Sequence, residues 1–231
     1  MDKVQHSLAE VTLLTALDAA ARDTLEQRCR WQRFAAQTQI IDQNSDSNDV
    51  YFVLEGRVRV VNYSMSGREI TLDEVEVGGY FGEFAALDGQ PRSANIVALS
   101  DTLVAAITRD DFLGLLRDWP GIGVEVMQGL VRLIRTSTDR IMALSTLGAC
   151  NRVHSELLRE ARAAQNDGNT AVISPIPTQG DIASRVSTTR ETVARVFSDL
   201  GKQGLIERIN RELVILDVAR LEKLVEHLHE V

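Results

Sequence analysis

Cysteine is scarce in this chain: Cys29 and Cys150 are the two in 231 residues, 121 positions apart. That spacing indicates no disulfide framework and no clustered metal site, and it argues against an iron–sulfur cluster. The four histidines are scattered, and His227 and His229, two apart, cannot face each other on a helix. A metal site is not expected. No apolar run approaches the roughly 18 residues that span a bilayer, and residues 1–20 carry no signal-peptide pattern. The expectation is a cytoplasmic protein with no membrane contact. Neither an activated nucleophile nor a metal is visible, which argues against an enzyme.

What is present is an ordinary globular composition, 44% apolar and 25% charged, long enough for one large domain or two modest ones. The net charge of −8 is unevenly spread. Residues 1–149 hold 14 basic and 21 acidic side chains, net −7, whereas residues 150–216 hold 9 and 8, net +1. The last fifteen are net −2. A weakly positive segment in an acidic chain is compatible with DNA binding without demanding it.

Residues 7–32 read as helices, with Leu13, Leu14, Leu17, Leu25 and Cys29 at helical spacing and Asp18 as an N-cap. From Arg33 to Ile107 the pattern changes to short strands. Val58, Val60 and Asn62 alternate with Arg57, Arg59 and Val61, and Ser66-Gly67 reads as a hairpin turn. Many short strands so spaced predict a sandwich or barrel.

Between two of these strands lies Gly78–Ile96, with three glycines in five residues (Gly78, Gly79, Gly82). Gly82 opens a short helical reading, Glu83 to Leu87, closed by Asp88-Gly89. Backbone N–H groups at a helix start favour an anion. Arg92 and Ser93 add a planar fork and a hydroxyl suited to phosphate oxygens. Glu83 can accept from a sugar hydroxyl. On spacing alone, a surface turn with a Glu83–Arg92 ion pair explains the stretch equally well. The run Phe-Gly-Glu-Phe-Ala-Ala-Leu-Asp-Gly-Gln-Pro-Arg-Ser-Ala resembles the phosphate-binding cassette of cyclic-nucleotide-binding domains. That resemblance assigns the cyclic phosphate to Gly82, Arg92, Ser93 and the Ala94 N–H, and the ribose 2′-hydroxyl to Glu83. It implies a β-roll in which Val60 and Leu72 pack on the base; both residues serve equally as plain core.

Asp110 to Arg117 reads as a short helix, stopped by Trp119-Pro120, and a longer one runs to about Leu147 with Gly148 closing it. Its apolar positions Met127, Leu130, Ile134, Ile141 and Leu144 form a 3-4 seam interrupted by Ser137. Such a seam predicts a parallel homodimer through this helix. A serine in the seam either sets register or meets a ligand. Arg-Leu-Ile-Arg-Thr-Ser resembles the matching stretch of Crp/Fnr regulators, which places Thr136 and the partner's serine on a purine. It also implies that Arg132 braces the ribose-holding glutamate.

Asn151 is expected to cap a helix over residues 152–165, and residues 166–169 a turn. Thr178 with Asp181 reads as a capping box. Residues 178–200 give helix, a break at Val186-Ser187, then helix from Thr188. Val193, Val196, Phe197 and Leu200 share one face, leaving Arg190, Glu191 and Arg195 exposed. Arginine suits guanine O6 and N7, and glutamate cytosine N4. A solvated helix start is the plain alternative. Ser187-Thr-Thr-Arg-Glu-Thr-Val-Ala-Arg resembles the recognition helix of the Crp/Fnr family. This implies base contacts for Arg190, Glu191 and Arg195, phosphate contacts for Thr189 and Thr192, and TGTGA-like half-sites in a palindrome. Gln179, which falls on the same DNA-facing surface, and Ser198 replace basic residues of the enteric representative, which puts some phosphate contacts in doubt. Leu205-Ile206 and Leu213–Leu216 read as a wing, and Asp217 caps a closing helix. Arg30 and Arg33 form either a basic RNA polymerase-facing patch or a solvated face.

The resemblance runs from about Cys29 to Leu216. The expectation is an α+β chain with a cyclic-nucleotide-binding, jelly-roll-like β-roll (1–118), a dimerisation helix and hinge (119–148) and a winged helix-turn-helix (149–231). It would be a homodimeric regulator of double-stranded DNA, loaded with cAMP or cGMP and touching RNA polymerase. The alternatives are a family member with another effector, such as haem or an iron–sulfur cluster, constitutive DNA binding, or an enzyme acting on cyclic nucleotides.

Overall fold

The computed structural model describes residues 7–164 and 166–226, the side chains of Asn166 and Asp167 excepted. His227, His229 and Gln165, the expected end of one helix, lie outside the described residues. The chain divides into two compact units, Met1–Ile134 and Arg135–Val231.

The first unit opens with a 3-10 turn, Thr12–Leu14, and helix α1, Ala19–Arg28. Asp18 caps α1, its side chain accepting the Ala21 N–H at 2.8 Å. The helical reading to residue 32 runs four residues too far. Cys29 turns extended, and Arg30–Phe34 becomes β1, paired with residues 102–106. Sheet pairing has overridden a weak helical period. The roll continues with β2 (Gln39–Ile41), β3 (Val50–Glu55), β4 (Arg57–Tyr63), β5 (Glu69–Glu76) and β6 (Tyr80–Phe81). Then come α2 (Glu83–Asp88), β7 (Asn95–Ala98), β8 (Thr102–Ile107) and α3 (Arg109–Asp118).

Eight strands form two four-stranded antiparallel sheets, β1-β8-β3-β6 and β2-β7-β4-β5. Ile41, Val53, Val58, Phe81, Ile96 and Val104 from both sheets make one shared core. Phe52, Ala105 and Ile107 lie in a second core with Leu14, Leu25, Phe112, Ile122 and Val126. The first sheet is thus covered on both faces, which is why β8 is buried at every residue. The expected alternation in β4 fails after Val58, since Arg59 is buried and Val60 only half-buried. A bulge between Val60 and Val61 shifts the register, and Val61 is fully buried. Arg30 and Arg33 are ion-paired with Asp49 and Glu55.

Helix α4 spans Pro120–Thr146, with proline at its first position, where no N–H is needed. The division between the units falls within it.

The second unit contains α5 (Ala149–Ala163), β9 (Asn166–Asp167), β10 (Thr170–Ile173), α6 (Gln179–Arg185) and α7 (Arg190–Lys202). It closes with β11 (Ile206–Ile209), β12 (Glu212–Ile215) and α8 (Val218–Glu226). Asn151 is not the cap of α5. Gly148 takes that place in extended conformation, its carbonyl accepting the Arg152 N–H at 3.1 Å. The expected turn at 166–169 belongs to a hairpin with β10, which extends the wing into a sheet ordered β11-β12-β10-β9. Val153, Leu157, Ile182, Val193, Val196 and Leu200 pack in a core with Leu213 and Ile215.

Candidate functional site

Directly after β6, Gly82 takes φ 88°, in the left-handed region, where it caps α2. A methyl there would meet Arg92 Nη1 at 2.7 Å and the Asp49 carbonyl at 2.9 Å. Arg92 is only 3% exposed. Its Nη1 donates to the Gly82 carbonyl at 2.7 Å, Nη2 to the Asp49 carbonyl at 2.7 Å, and Nε to Ser47 Oγ at 3.0 Å. Every one of these acceptors is neutral, and no carboxylate among the described residues lies within ion-pair distance. Burial pushes the guanidinium below its ordinary pKa, with Tyr51, Asp49 and Glu83 pulling it back up. A buried cation with two N–H donors to spare is a site for an anion.

Ser93 stands exposed beside it. Its carbonyl accepts from Asn62 Nδ2 at 3.3 Å and from Gln43 Nε2 at 3.4 Å. Ala94 is buried. Glu83 carries no ion pair among the described residues. Burial raises its carboxyl, Asp73 adds to this, and Arg92 opposes it. The expected Glu83–Arg92 ion pair of the plain alternative is absent. Val60 is half-buried, in register with Ile96, and Leu72 sits at the β4–β5 bulge, 42% exposed. Leu72 is therefore not plain core. Arg132 makes no ion pair with Glu83. Both lie near the Tyr80 hydroxyl, whose pKa is pushed up to about 12 by burial and then Glu83, with Arg132 opposing.

Along α4, Met127, Ile134, Ile141 and Leu144 are exposed, as are Thr136 and Ser137, the latter pair belonging to the second unit.

In the second unit the helix-turn-helix is built by local chemistry. Thr178 and Asp181 form the full capping box of α6. Ser187, at φ 53°, makes the turn. Thr189 caps α7, its hydroxyl accepting the Thr192 N–H at 3.2 Å, so the second helix begins two residues later than the sequence pattern suggests. Arg190, Glu191 and Arg195 are exposed, and Gln179 is half-buried at the start of α6. The Arg190 guanidinium lies over Gly180: a methyl there would be 3.0 Å from its Nε. The Glu191 backbone N–H and the Thr189 hydroxyl hold the Glu191 carboxyl below its ordinary range, so it stays an ionised acceptor.

A sequence model described as "Cyclic nucleotide-binding domain" matches residues 31–118, and one described as "Crp-like helix-turn-helix domain" matches residues 151–224. The "Cyclic AMP receptor protein" of Thermus thermophilus is 33% identical over 76% of this chain and 78% of its own. The chain belongs to the Crp/Fnr family of transcription regulators. A second relative is the "CRP-like cAMP-activated global transcriptional regulator" of Mycobacterium tuberculosis, 23% identical over 96% of this chain and 99% of that one. A solved CooA variant from Carboxydothermus hydrogenoformans shares the fold, with a TM-score of 0.80, 24% identity and 96% of each chain covered. This Crp/Fnr chain accordingly pairs a cyclic-nucleotide-binding domain with a DNA-binding one, and its family regulates transcription rather than catalysing a reaction.

Sequence reasoning missed three residues of this regulator. Tyr80 reads as an ordinary strand aromatic, and Gly180 as a helix glycine. Arg152 donates to the Val186 carbonyl at 2.9 Å, the Leu147 carbonyl at 2.7 Å and the Ser187 carbonyl at 3.2 Å. It ties the end of α4 to the turn before α7. Nothing in its spacing signals that.

Proposed function

We propose that the regulator is a homodimer whose DNA affinity is raised by a 3′,5′-cyclic purine nucleotide, cAMP or cGMP. Gly82, Arg92, Ser93 and the Ala94 N–H hold the phosphate, Glu83 the ribose, and Val60 and Leu72 the base. Arg132 supports Glu83, and Thr136 with the partner's serine 137 position reaches the ring. The exposed seam of α4, continuous with residues 119–148, is the dimer contact. Arg190, Glu191 and Arg195 read base edges of palindromic TGTGA-like half-sites, with Thr189, Thr192 and Gln179 near phosphates. RNA polymerase is the further partner, in the cytoplasm.

The observation that carries this reading is Arg92, a buried cation hydrogen-bonded only to neutral acceptors and followed by an exposed serine. A bound phosphate would give that charge its counterion. Ligand then acts by population shift, typically about 5- to 150-fold in the second affinity. The test is calorimetric titration of cAMP and cGMP, followed by DNA binding with each. Arg92→Ala is expected to lose the nucleotide response while sedimenting as a dimer. Wild-type nucleotide affinity in that variant would overturn the site.

A further inference from the structure

The Tyr80 hydroxyl sits where the nucleotide cassette meets the long helix, inside the first unit. Tyr80 opens β6, two residues before Gly82, and is held in register against Phe52 of β3. Its ring packs on the core that includes Ile122 and Val126 of α4. Its oxygen rests on α4 itself: a methyl on Gly129 would come within 3.0 Å of Tyr80 Oη and 3.8 Å of Arg132 Nη2. Glu83 follows three residues after Tyr80 and is the first residue of α2. So a rigid ring links the start of the cassette to the helix backbone, and a side chain at 129 would push the oxygen back by a few tenths of an ångström.

We propose that Tyr80 is a positioning residue that couples occupancy of the nucleotide site to α4 at Gly129–Arg132. This rests on the reading that Glu83 holds the ribose. With its pKa near 12, the phenol remains a neutral O–H donor at physiological pH. Glu83 is a half-buried acceptor without an ion pair, and Arg132 is a second donor nearby. A ribose hydroxyl arriving at Glu83 changes the field that the carboxylate exerts on the phenol and the guanidinium, and so where both settle against α4. The phenol has only two side-chain torsions, so a shift at β6 reaches the helix with little loss. Its role is in transmission, not in gripping the ligand.

Tyr80→Phe removes the hydroxyl and keeps the ring. Two quantities are read on the full-length protein: nucleotide affinity by calorimetry, and the ratio of DNA affinities with and without saturating nucleotide. The expected result is nucleotide affinity within about threefold of wild type and a coupling ratio reduced about fivefold, the size of effect expected from removing one polar group at the junction. Gly129→Ala, which displaces the same oxygen, is expected to lower the ratio likewise. A purely structural role would lower thermal stability and leave the ratio unchanged. Nucleotide binding with an unaltered ratio in Tyr80→Phe overturns the proposal alone. Failure of the wild-type protein to bind either nucleotide overturns this inference together with the reading beneath it.

Discussion

Arg92 donates to the carbonyl of Gly82 at 2.7 Å, so the residue that turns the cassette is also the one that aims its cation. Gly82 has φ 88° because α2 must start directly after β6. Gly82→Ala would place a methyl 2.7 Å from Arg92 Nη1 in a backbone conformation costing an L-residue about 1–2 kcal/mol. The expected outcome is a thermal midpoint lower by several degrees and nucleotide affinity reduced at least about tenfold. Calorimetry and a melting curve check both.

Glu83 sets a pH dependence whose sign follows from its surroundings. Burial first, and Asp73 after it, raise the carboxyl above its ordinary value, while Arg92 opposes them. The folded protein therefore keeps a proton there to higher pH than the unfolded chain. Stability from this group is full below the ordinary carboxylate pKa and is lost as pH rises through the raised value. Glu83→Gln should then be more stable than wild type at neutral pH, with the difference shrinking in acid. The same variant should bind nucleotide about tenfold more weakly, because it loses the charge-assisted acceptor. Wild-type nucleotide affinity should fall as pH drops toward the raised pKa. Urea unfolding and titration across a pH series measure both curves.

Local chemistry is what made much of this fold legible in advance. Asp18, the Thr178–Asp181 box, Gly82 with Gly89, and Asp217 act within a few residues, and each stands where its type predicts. Long-range pairing was not legible. The burial of Val61 comes from a bulge defined against β5, and Arg30–Gln32 becomes a strand only because β8 lies beside it. The cassette could be read because its residues are contiguous. Tyr80, Gly129 and Arg132 could not be read as a group, since 49 positions separate Tyr80 from Gly129 and chain folding alone brings them together. Arg152 was hidden for a related reason: its partners are backbone carbonyls, which leave no mark on composition.

Arg152 carries a prediction of its own. Its three acceptors are the carbonyls of Leu147, Val186 and Ser187, and Ser187 occupies a left-handed conformation that a non-glycine residue holds only with support. Arg152→Gln would leave some of those carbonyls without a donor, at about 1–3 kcal/mol. The expected phenotype is lower stability and weaker DNA binding with and without nucleotide. Nucleotide affinity should be unchanged, since none of the three carbonyls belongs to a residue proposed to hold the nucleotide. Fluorescence anisotropy on operator DNA, beside calorimetry, separates these effects.

The Arg190 side chain offers the sharpest test of how DNA is read. Its guanidinium rests over Gly180, where an added methyl would lie 3.0 Å from Nε, 3.2 Å from Nη2 and 3.3 Å from Cζ. The far end of an arginine moves readily, so Gly180→Ala should not unfold the unit. Alanine in place of glycine within a helix even favours it by up to about 1 kcal/mol. What changes is the direction from which Arg190 approaches a base edge. A good bidentate contact to guanine discriminates by about 1–3 kcal/mol, so Gly180→Ala should relax preference at one half-site position about tenfold. The dependence of binding on salt should keep its slope, because no phosphate charge is removed. Selection from a randomised half-site library, paired with a salt titration, reads both quantities. A stabilised variant with the wild-type preference profile would mean that Arg190 finds its base regardless of where it rests, and that Gly180 serves α6 alone.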